Sequence, residues 1–523
     1  MLRRCRSIFV LLILFTTAFT VFAQVAPPPD MDAWVARTMK TFDVPGVSVA
    51  IVKDGKVILA KGYGVRKLGD PAPVDDRTLF GIASNTKAFT VAALGMLVDE
   101  GKIKWDDPVT KYLPAFKVAD PYVTREMTIR DLLSHRTGLG LGAGDLMFYP
   151  NTDFTRAEVL NSAQYLKEVA GFRSKYQYNN LCFIVAGQIV AAVTGKPWSE
   201  FIKERIFGPI GMTTTEITSD GFKPGVNFAV PHSRGWRLAG ELRPIAWTRD
   251  EVWAPAAGIK SNADDLAKWM MVQLNQGTLP NGKVLWKAAR SNEEWSPNIN
   301  IPIRDPFPAL KQTKPNFLGY AMGWGVRDYE GRKIVSHTGG LTGMVSTVVL
   351  VPSEHLGIAV LTNQEEGGAF SAIYYHILDY YFNLKPTDWI DAFKAQRVNE
   401  IERANAAEKK VFDARNASSK PSLPLEKYVG EYKDPWYGLA TITEQNGKLV
   451  LNLTRTSGGI ADLEHFQYDT FHAIFRENTI PDAFVTFDLN PDGTIERMKM
   501  VHTSDLADFS FDYQDFNFKP VKK

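Results

Sequence analysis

The spacing of apolar residues divides the chain into two kinds of sequence. Up to about residue 385, apolar segments with helical spacing are interleaved with strand-like runs; beyond about residue 425, short runs alternate apolar and polar positions in steps of two. Met31 to Thr41 predicts a helix stopped by Pro45, and Val47 to Val52 with Val57 to Ala60 predicts a hairpin turning on Asp54-Gly55. Ala88 to Glu100 carries apolar residues at Ala88, Val91, Leu94, Leu97 and Val98, with Gly101 placed as a C-terminal cap, and predicts a long helix. Thr128 to His135 predicts a short helix running into the loop Thr137-Gly138-Leu139-Gly140, and Leu181 to Thr194 an apolar helix closed by Gly195. Lys333 to Gly340 passes from a strand into a glycine-rich turn, and Ser346 to Val351 pairs with Leu356 to Leu361 around Pro352 to His355.

From Leu384 the pattern changes. Asp388 to Arg415 is highly charged with no broad apolar face and predicts a solvated connecting helix; Asn416 to Pro424 is a Ser/Pro/Lys linker. Ala440 to Thr443 and Leu449 to Leu453 are divided by Asn446-Gly447, and Phe484 to Leu489 and Ile495 to Val501 by Pro491-Asp492-Gly493. These predict a small antiparallel β domain, a barrel or curved sheet, with Trp436, Tyr437, Phe466, Phe471 and Phe475 in its core. No solenoid repeat is present. The boundary predicts a separable domain, so a chain ending near Arg415 is expected to fold alone.

A length of 523 residues exceeds one compact core, and 45% hydrophobic with 23% charged residues is ordinary for a globular protein. The formal net charge of +2 changes the picture only by exclusion: no basic face points to nucleic acid or to a polybasic membrane contact. Arg3, Arg4 and Arg6, the apolar run Ile8 to Phe22 and the small-residue end Val21-Phe22-Ala23 predict a cleaved export signal over residues 1–23, with no membrane span after cleavage. The expected location is periplasmic or secreted. Cys5 lies in that leader, so Cys182 stands alone, inside an apolar run, as a small buried hydrophobe rather than a nucleophile.

Ser84 and Lys87 stand three apart at the start of the Ala88 helix, on one helical face, where an amine can take the proton of a serine nucleophile. Tyr178-Asn179-Asn180 lies at a loop-to-helix junction, where a side chain can be aimed into a cleft; the two other Tyr-x-Asn triplets begin at Tyr149, in a proline loop, and Tyr381, at the end of an aromatic-rich helix. His337-Thr338-Gly339-Gly340 offers a backbone N–H to an oxyanion, or a turn with a satisfied histidine. His135 reads as a helix-end histidine satisfying nearby carbonyls, and Asn262 with Asp264 and Asp265 as helix capping. No His/Cys/Asp/Glu cluster has metal-ligand spacing, and no metal or organic cofactor is expected.

Taken in order, Ser84-x-x-Lys87, Tyr178-x-Asn180 and His337-Thr338-Gly339 resemble the three motifs of the serine penicillin-recognising hydrolases, in the form found in the class C β-lactamase-like branch with its D-alanyl-D-alanine carboxypeptidases, D-aminopeptidases and esterases. The resemblance covers about Met31 to Asn383, and the tail from Tyr428 resembles the small β domain often appended to such hydrolases. It implies an α+β fold: a β-lactamase/transpeptidase-like antiparallel sheet with helices on both faces, an all-helical subdomain, and then the β-barrel-like domain. The expected segments are a hydrolase domain over residues 28–385, a charged helical linker over 386–424 and the β domain over 425–523.

The resemblance also implies roles. Ser84 becomes acylated, Lys87 and Tyr178 share acid and base work in an order left open, and Asn180 bonds the substrate amide. The N–H groups of Ser84 and Gly340 form an oxyanion hole, and Thr338 and Gly339 join Asn180 and His337 in binding substrate. His337 stands where class C enzymes usually have lysine, and either binds a carboxylate as imidazolium or orients its neighbours as a neutral ring. The expected activity is exported hydrolysis of amide or ester bonds in a small molecule or peptide, D-amino-acid or cell-wall peptides included. An esterase or weak β-lactamase is the alternative within the family, and a penicillin-binding sensor or scaffold without turnover the alternative outside it.

Overall fold

The computed structural model describes residues 26–219, 222 and 225–521; the export signal expected over residues 1–23 lies outside the described residues. Helix α1 (Met31–Phe42) leads into strands β1 (Gly46–Lys53) and β2 (Lys56–Gly64), joined by a two-residue turn with Asp54 at φ 50° and Gly55 at φ 73°. Both turn residues are left-handed, the pairing that matches the twist of a hairpin and explains the Asp-Gly signal. Helices α2 (Thr86–Asp99), α3 (Leu181–Thr194) and α4 (Ala263–Leu274) follow. The sheet resumes with β3 (Ile299–Asn300), β4 (Leu318–Tyr320), β5 (Gly325–Tyr329), β6 (Arg332–Leu341), β7 (Met344–Val351) and β8 (Leu356–Thr362). Helices α5 (Gly367–Tyr381) and α6 (Trp389–Asp413) complete this part.

The strands form one sheet in the order β2-β1-β8-β7-β6-β5-β4-β3, antiparallel throughout. Its central strands are buried on both faces, which is why they read as unbroken apolar runs. Val47, Val49 and Ile51 point to a core shared with α1, α5 and the start of α6, including Val35, Ile373 and Trp389, whereas Ala50 and Val52 point to the core holding α2, α3 and α4. Helix α2 is buried from Thr86 to Leu97. It is apolar all round, the signature of a helix enclosed by other elements. Among the described residues no single helix is long and apolar enough to cross a membrane.

The tail forms a second sheet: β9 (Gly430–Asp434), β10 (Gly438–Gln445), β11 (Lys448–Leu453), β12 (Ile460–Gln467), β13 (Thr470–Phe475), β14 (Ala483–Leu489), β15 (Ile495–His502) and β16 (Lys519–Pro520). The order β15-β14-β13-β12-β11-β10-β9-β16 is nearly closed, because Met498 of β15 and Phe518 exchange backbone hydrogen bonds of 2.8 and 3.1 Å just before β16. Asn446 at φ 53° and Gly447 at φ 75° make the β10–β11 turn.

The two parts are not independent. One continuous cluster of buried apolar side chains includes Phe89 and Phe183 of the first part and Tyr437 and Phe487 of the second. At the seam the Arg455 guanidinium lies 3.9 Å from the centre of the Phe154 ring and pairs with Asp153 and Glu158. Arg237 bridges Glu408 of α6 (2.7 Å) and Asp482 of the β domain (3.3 Å). Helix α6 is anchored at both ends rather than solvated along its length: the Trp389 indole donates to Asp379 (2.7 Å), and Phe412 packs edge-on against Phe466 (5.3 Å). This shared core argues against the expectation that a chain ending near Arg415 stands alone. Local alternation reveals the strands, but it does not reveal that the barrel's outer aromatic residues are buried against the first part.

Truncation at Arg415 is expected to give a chain that aggregates, since the covering of Phe154, Tyr149 and their neighbours is removed. Size-exclusion chromatography checks this, and a soluble truncated chain with an unchanged melting temperature would refute it.

Candidate active site

The strand Phe80–Gly81 delivers the chain into a single 3-10 turn, Ala83–Asn85, which feeds α2. Ala83 holds φ 47°, a left-handed conformation unusual for a residue with a Cβ and costing of order 1–3 kcal/mol, so surrounding contacts must fix it. They do: the Asn85 amide donates to the Ser346 hydroxyl (2.9 Å), and that hydroxyl donates to the Ile82 carbonyl (2.8 Å). Strand β6 lies directly on this turn. A Cβ at Gly339 would sit 2.1 Å from the Ile82 carbonyl oxygen, so the glycine of His337-Thr338-Gly339 is required by close approach. At Gly340 a Cβ would meet nothing within 4 Å, and that residue faces the cleft.

Ser84 stands at the cleft floor. Its hydroxyl oxygen lies 3.0 Å from Lys87 Nζ and accepts the Tyr178 phenol proton at 2.7 Å. Lys87 is fully buried, and its ammonium also donates to Asn180 Oδ1 (2.8 Å) and to the Ala256 carbonyl (3.0 Å). Burial pushes the Lys87 amine down to about 7, against a smaller opposing pull from Asp145. Burial drives Tyr178 the other way, well above the ordinary phenol range, so it keeps its proton. The helix α3 begins one residue after Asn180, which fixes the Tyr178 to Asn180 segment at its N-terminus.

The Tyr178 ring is held by neighbours. His135 packs 4.3 Å from it and Phe509 of the β domain meets it edge-on at 5.7 Å. His135 does not satisfy carbonyls as expected from its helix-end position: its Nδ1 accepts the Asn179 backbone N–H at 3.2 Å, and burial keeps the ring neutral. The Asn179 amide pins the glycine loop by donating to the carbonyls of Gly140 (3.2 Å) and Ala143 (2.9 Å).

His337 is also enclosed. Its Nδ1 donates to the Thr338 carbonyl (2.5 Å) and its Nε2 accepts the Tyr320 hydroxyl (2.8 Å). Burial, with the Lys87 charge nearby, pushes the ring down to about 3. The surroundings support the neutral ring and oppose the imidazolium, so of the two expectations the orienting role fits the geometry. The physical reason is desolvation, which no spacing in the sequence reports.

Beyond Ser336, where its pairing with β5 ends, β6 runs on along a cleft of about 700 Å³ that also exposes Ser84, Thr338 and Gly340. The walls are largely aromatic: Phe148, Tyr149, Tyr176, Trp236, Trp253, Tyr320, Phe509 and Phe511. Tyr149, set aside in the sequence reading, is one of them, but its hydroxyl bonds Thr342 (2.6 Å) and not Ser84. Tyr381 is remote, its hydroxyl donating to the Ala26 carbonyl. Cys182 is buried with its thiol pushed up to about 12 by desolvation, unsuited to attack. Asn262 caps α4 through the Asp265 N–H (2.9 Å), and Asp265 accepts from Thr214, Thr215 and Lys268. Among the described residues no group of three or more His, Cys, Asp or Glu side chains could hold a metal.

Sequence reasoning missed the shell behind Asn180. The Asn180 amide donates to Asp145 Oδ2 (2.8 Å), and that oxygen also accepts the Ser510 hydroxyl (2.8 Å), from 365 residues further along the chain. Asp145 carried no motif, and only the loop glycines around it were a signal. A Cβ at Gly142, at φ 68°, would sit 2.4 Å from the Phe509 carbonyl oxygen.

Comparison with known proteins gives a consistent assignment. The beta-lactamase family model matches residues 31–381, and a domain of unknown function, DUF3471, matches residues 414–520. Unguisins hydrolase ungD' of Aspergillus campestris is 30% identical over 501 residues, covering 91% of this chain and 89% of that protein. Protein flp of Staphylococcus aureus is 29% identical over 339 residues, 64% of this chain and 62% of that protein. Among solved structures, the octameric penicillin-binding protein homologue from Pyrococcus abyssi aligns with a TM-score of 0.58 at 20% identity over 90% of this chain and 98% of its own. A class C beta lactamase from Rhodobacter sphaeroides aligns with a TM-score of 0.54 at 21% identity over 68% of this chain and 100% of its own.

A neutral His337 predicts that KM for a carboxylate-bearing substrate and for a matched neutral ester vary in parallel between about pH 5 and about pH 9, a range spanning the ordinary imidazole titration. Steady-state kinetics on the pair checks this. A KM that rises with pH for the carboxylate alone would restore the imidazolium role.

Proposed function

The chain belongs to the beta-lactamase family, and we propose that within it the protein is a serine hydrolase that cleaves neutral amide or ester bonds through an acyl-enzyme on Ser84. The observation that carries this reading is the placement of one hydroxyl between a buried amine and a protonated phenol, at 3.0 and 2.7 Å. An amine held near 7 is partly neutral at physiological pH, so Lys87 takes the Ser84 proton as its oxygen attacks the carbonyl. The N–H groups of Ser84 and Gly340 receive the developing oxyanion, each worth about 3 kcal/mol. Tyr178, which keeps its proton, supplies the acid that releases the amine or alcohol. The Tyr178 phenolate then recovers a proton from Lys87, and the neutral amine serves as base for the water that attacks the ester, returning that proton to the Ser84 oxygen as the acid leaves.

The cleft lining supports a neutral substrate with apolar or aromatic groups. Among the described residues its one cationic side chain is Arg397, already bonded to Glu366 at 3.2 Å, and it also carries Glu365 and Asp508. A substrate ending in a free carboxylate finds no unpaired cation among the described residues of that lining, which favours esters or internal peptide amides, D-amino-acid peptides included, over a terminal carboxypeptidase reaction. The relative named as an unguisins hydrolase supports hydrolysis; its substrate is that protein's own. Export to the periplasm or medium, after cleavage at Ala23, is part of the proposal and rests on the leader sequence.

Intact-mass analysis after a fluorophosphonate probe is expected to show one adduct per chain, absent in Ser84→Ala. The labelling rate should rise with pH through about 7, as Lys87 loses its proton. Tyr178→Phe should lower kcat by roughly 10² or more, and Tyr149→Phe should leave it nearly unchanged. Labelling that survives Ser84→Ala, or the reverse ranking of the two tyrosines, would sink the assignment.

A further inference from the structure

The β domain reaches the catalytic lysine through a continuous line of side chains. Lys87 Nζ donates to Asn180 Oδ1, Asn180 Nδ2 donates to Asp145 Oδ2, and the same oxygen accepts the Ser510 hydroxyl, each contact being 2.8 Å. Asp145 is fully buried, and its other oxygen has no hydrogen-bond partner among the described residues. The turn carrying it is gripped from the same side: the Gly144 and Leu146 N–H groups donate to the Asp512 carboxyl at 2.6 and 3.2 Å. We propose that Ser510 is a positioning residue for the nucleophile's base, acting through Asp145 and Asn180 on Lys87, so that the β domain sets the pH at which Ser84 is activated. The inference rests on the hydrolase reading and adds to it the part played by the appended domain.

The direction follows from the charges. The Ser510 hydrogen bond favours the Asp145 carboxylate, while burial pushes that carboxyl up to about 7. The carboxylate in turn supports the charged form of Lys87. Other groups face this pair from every side. His135 and His337 are neutral, Tyr178, Tyr149 and Cys182 keep their protons, and Asp508 and Asp512 are the acidic neighbours from the β domain. Removing the Ser510 donor makes Asp145 harder to ionise and withdraws support from the Lys87 cation. Lys87 then becomes neutral at a lower pH.

The test is the pH dependence of fluorophosphonate labelling on full-length protein. Ser510→Ala and Asp145→Asn are each expected to move the acid limb to lower pH by roughly one unit, about tenfold in relative rate on that limb. Ser510→Thr, which keeps the hydroxyl, should return the limb to its original place. A merely structural role lowers the rate at every pH alike and leaves the limb where it was, and that result overturns the inference. Should Ser510→Ala not fold, Ser510→Cys, of similar size and a weak donor, takes its place with the same two outcomes. Labelling that survives Ser84→Ala refutes the hydrolase reading and this inference with it; Ser84-dependent labelling with an unmoved limb refutes the inference alone.

Discussion

The molecule is arranged around one costly act, the burial of the Lys87 amine against Ser84. Taking an ammonium out of water costs several kcal/mol even after relaxation. Three hydrogen-bond acceptors around Nζ and a carboxylate further off recover part of that, and the remainder appears as an amine that gives up its proton near 7. Each acceptor comes from a different part of the fold. Ser84 is on the turn before α2, Asn180 at the start of α3, and Ala256 in the segment leading to α4. The central position of α2, buried on every side, is what lets three elements converge on one side chain.

The second constraint is steric. Strand β6 must lie close enough to the Ser84 turn that only glycine fits at 339, and the same closeness brings the His337 ring into the buried shell behind Tyr178. A histidine there cannot behave as an exposed lysine would. Its two nitrogens are spent on Thr338 and Tyr320, and its surroundings admit the neutral form. At this position the cleft is lined by an uncharged ring.

What was legible in the sequence was whatever short spacing encodes. Ser84 and Lys87 share a helical face because they are three apart, and Asp54-Gly55 and Asn446-Gly447 announced their turns. The apolar runs of β1, β7 and β8 announced strands, while helices on both faces of their sheet were implied only by the family resemblance. What was not legible depends on burial or on distance along the chain. Nothing around His337 indicates how little water reaches it. Asp145 and Ser510 meet only because the barrel packs against the first part, and neither belongs to a local pattern. Tyr149 was set aside for its proline loop, yet that loop forms a wall of the cleft.

The place of Asn180 between Lys87 and Asp145 has a physical reason. Two opposite charges about 4 Å apart, at an effective dielectric of about 20, attract by ~4 kcal/mol, roughly three pKa units. A carboxylate in direct contact with Lys87 would return the amine to the ordinary lysine range and remove it as a base at neutral pH. Without any carboxylate, desolvation alone would hold the amine lower still and make it a weaker base. An amide solves both problems, since it accepts from the lysine on one side and donates to the acid on the other, and it roughly doubles the separation of the charges. The attraction falls by about half, leaving an amine poised near neutrality. The remaining freedom lies in the charge on Asp145, and there the fold brings in a hydroxyl from the far end of the chain. On the proposed reading, a barrel appended after the hydrolase part takes part in the chemistry of the site as well as in its covering.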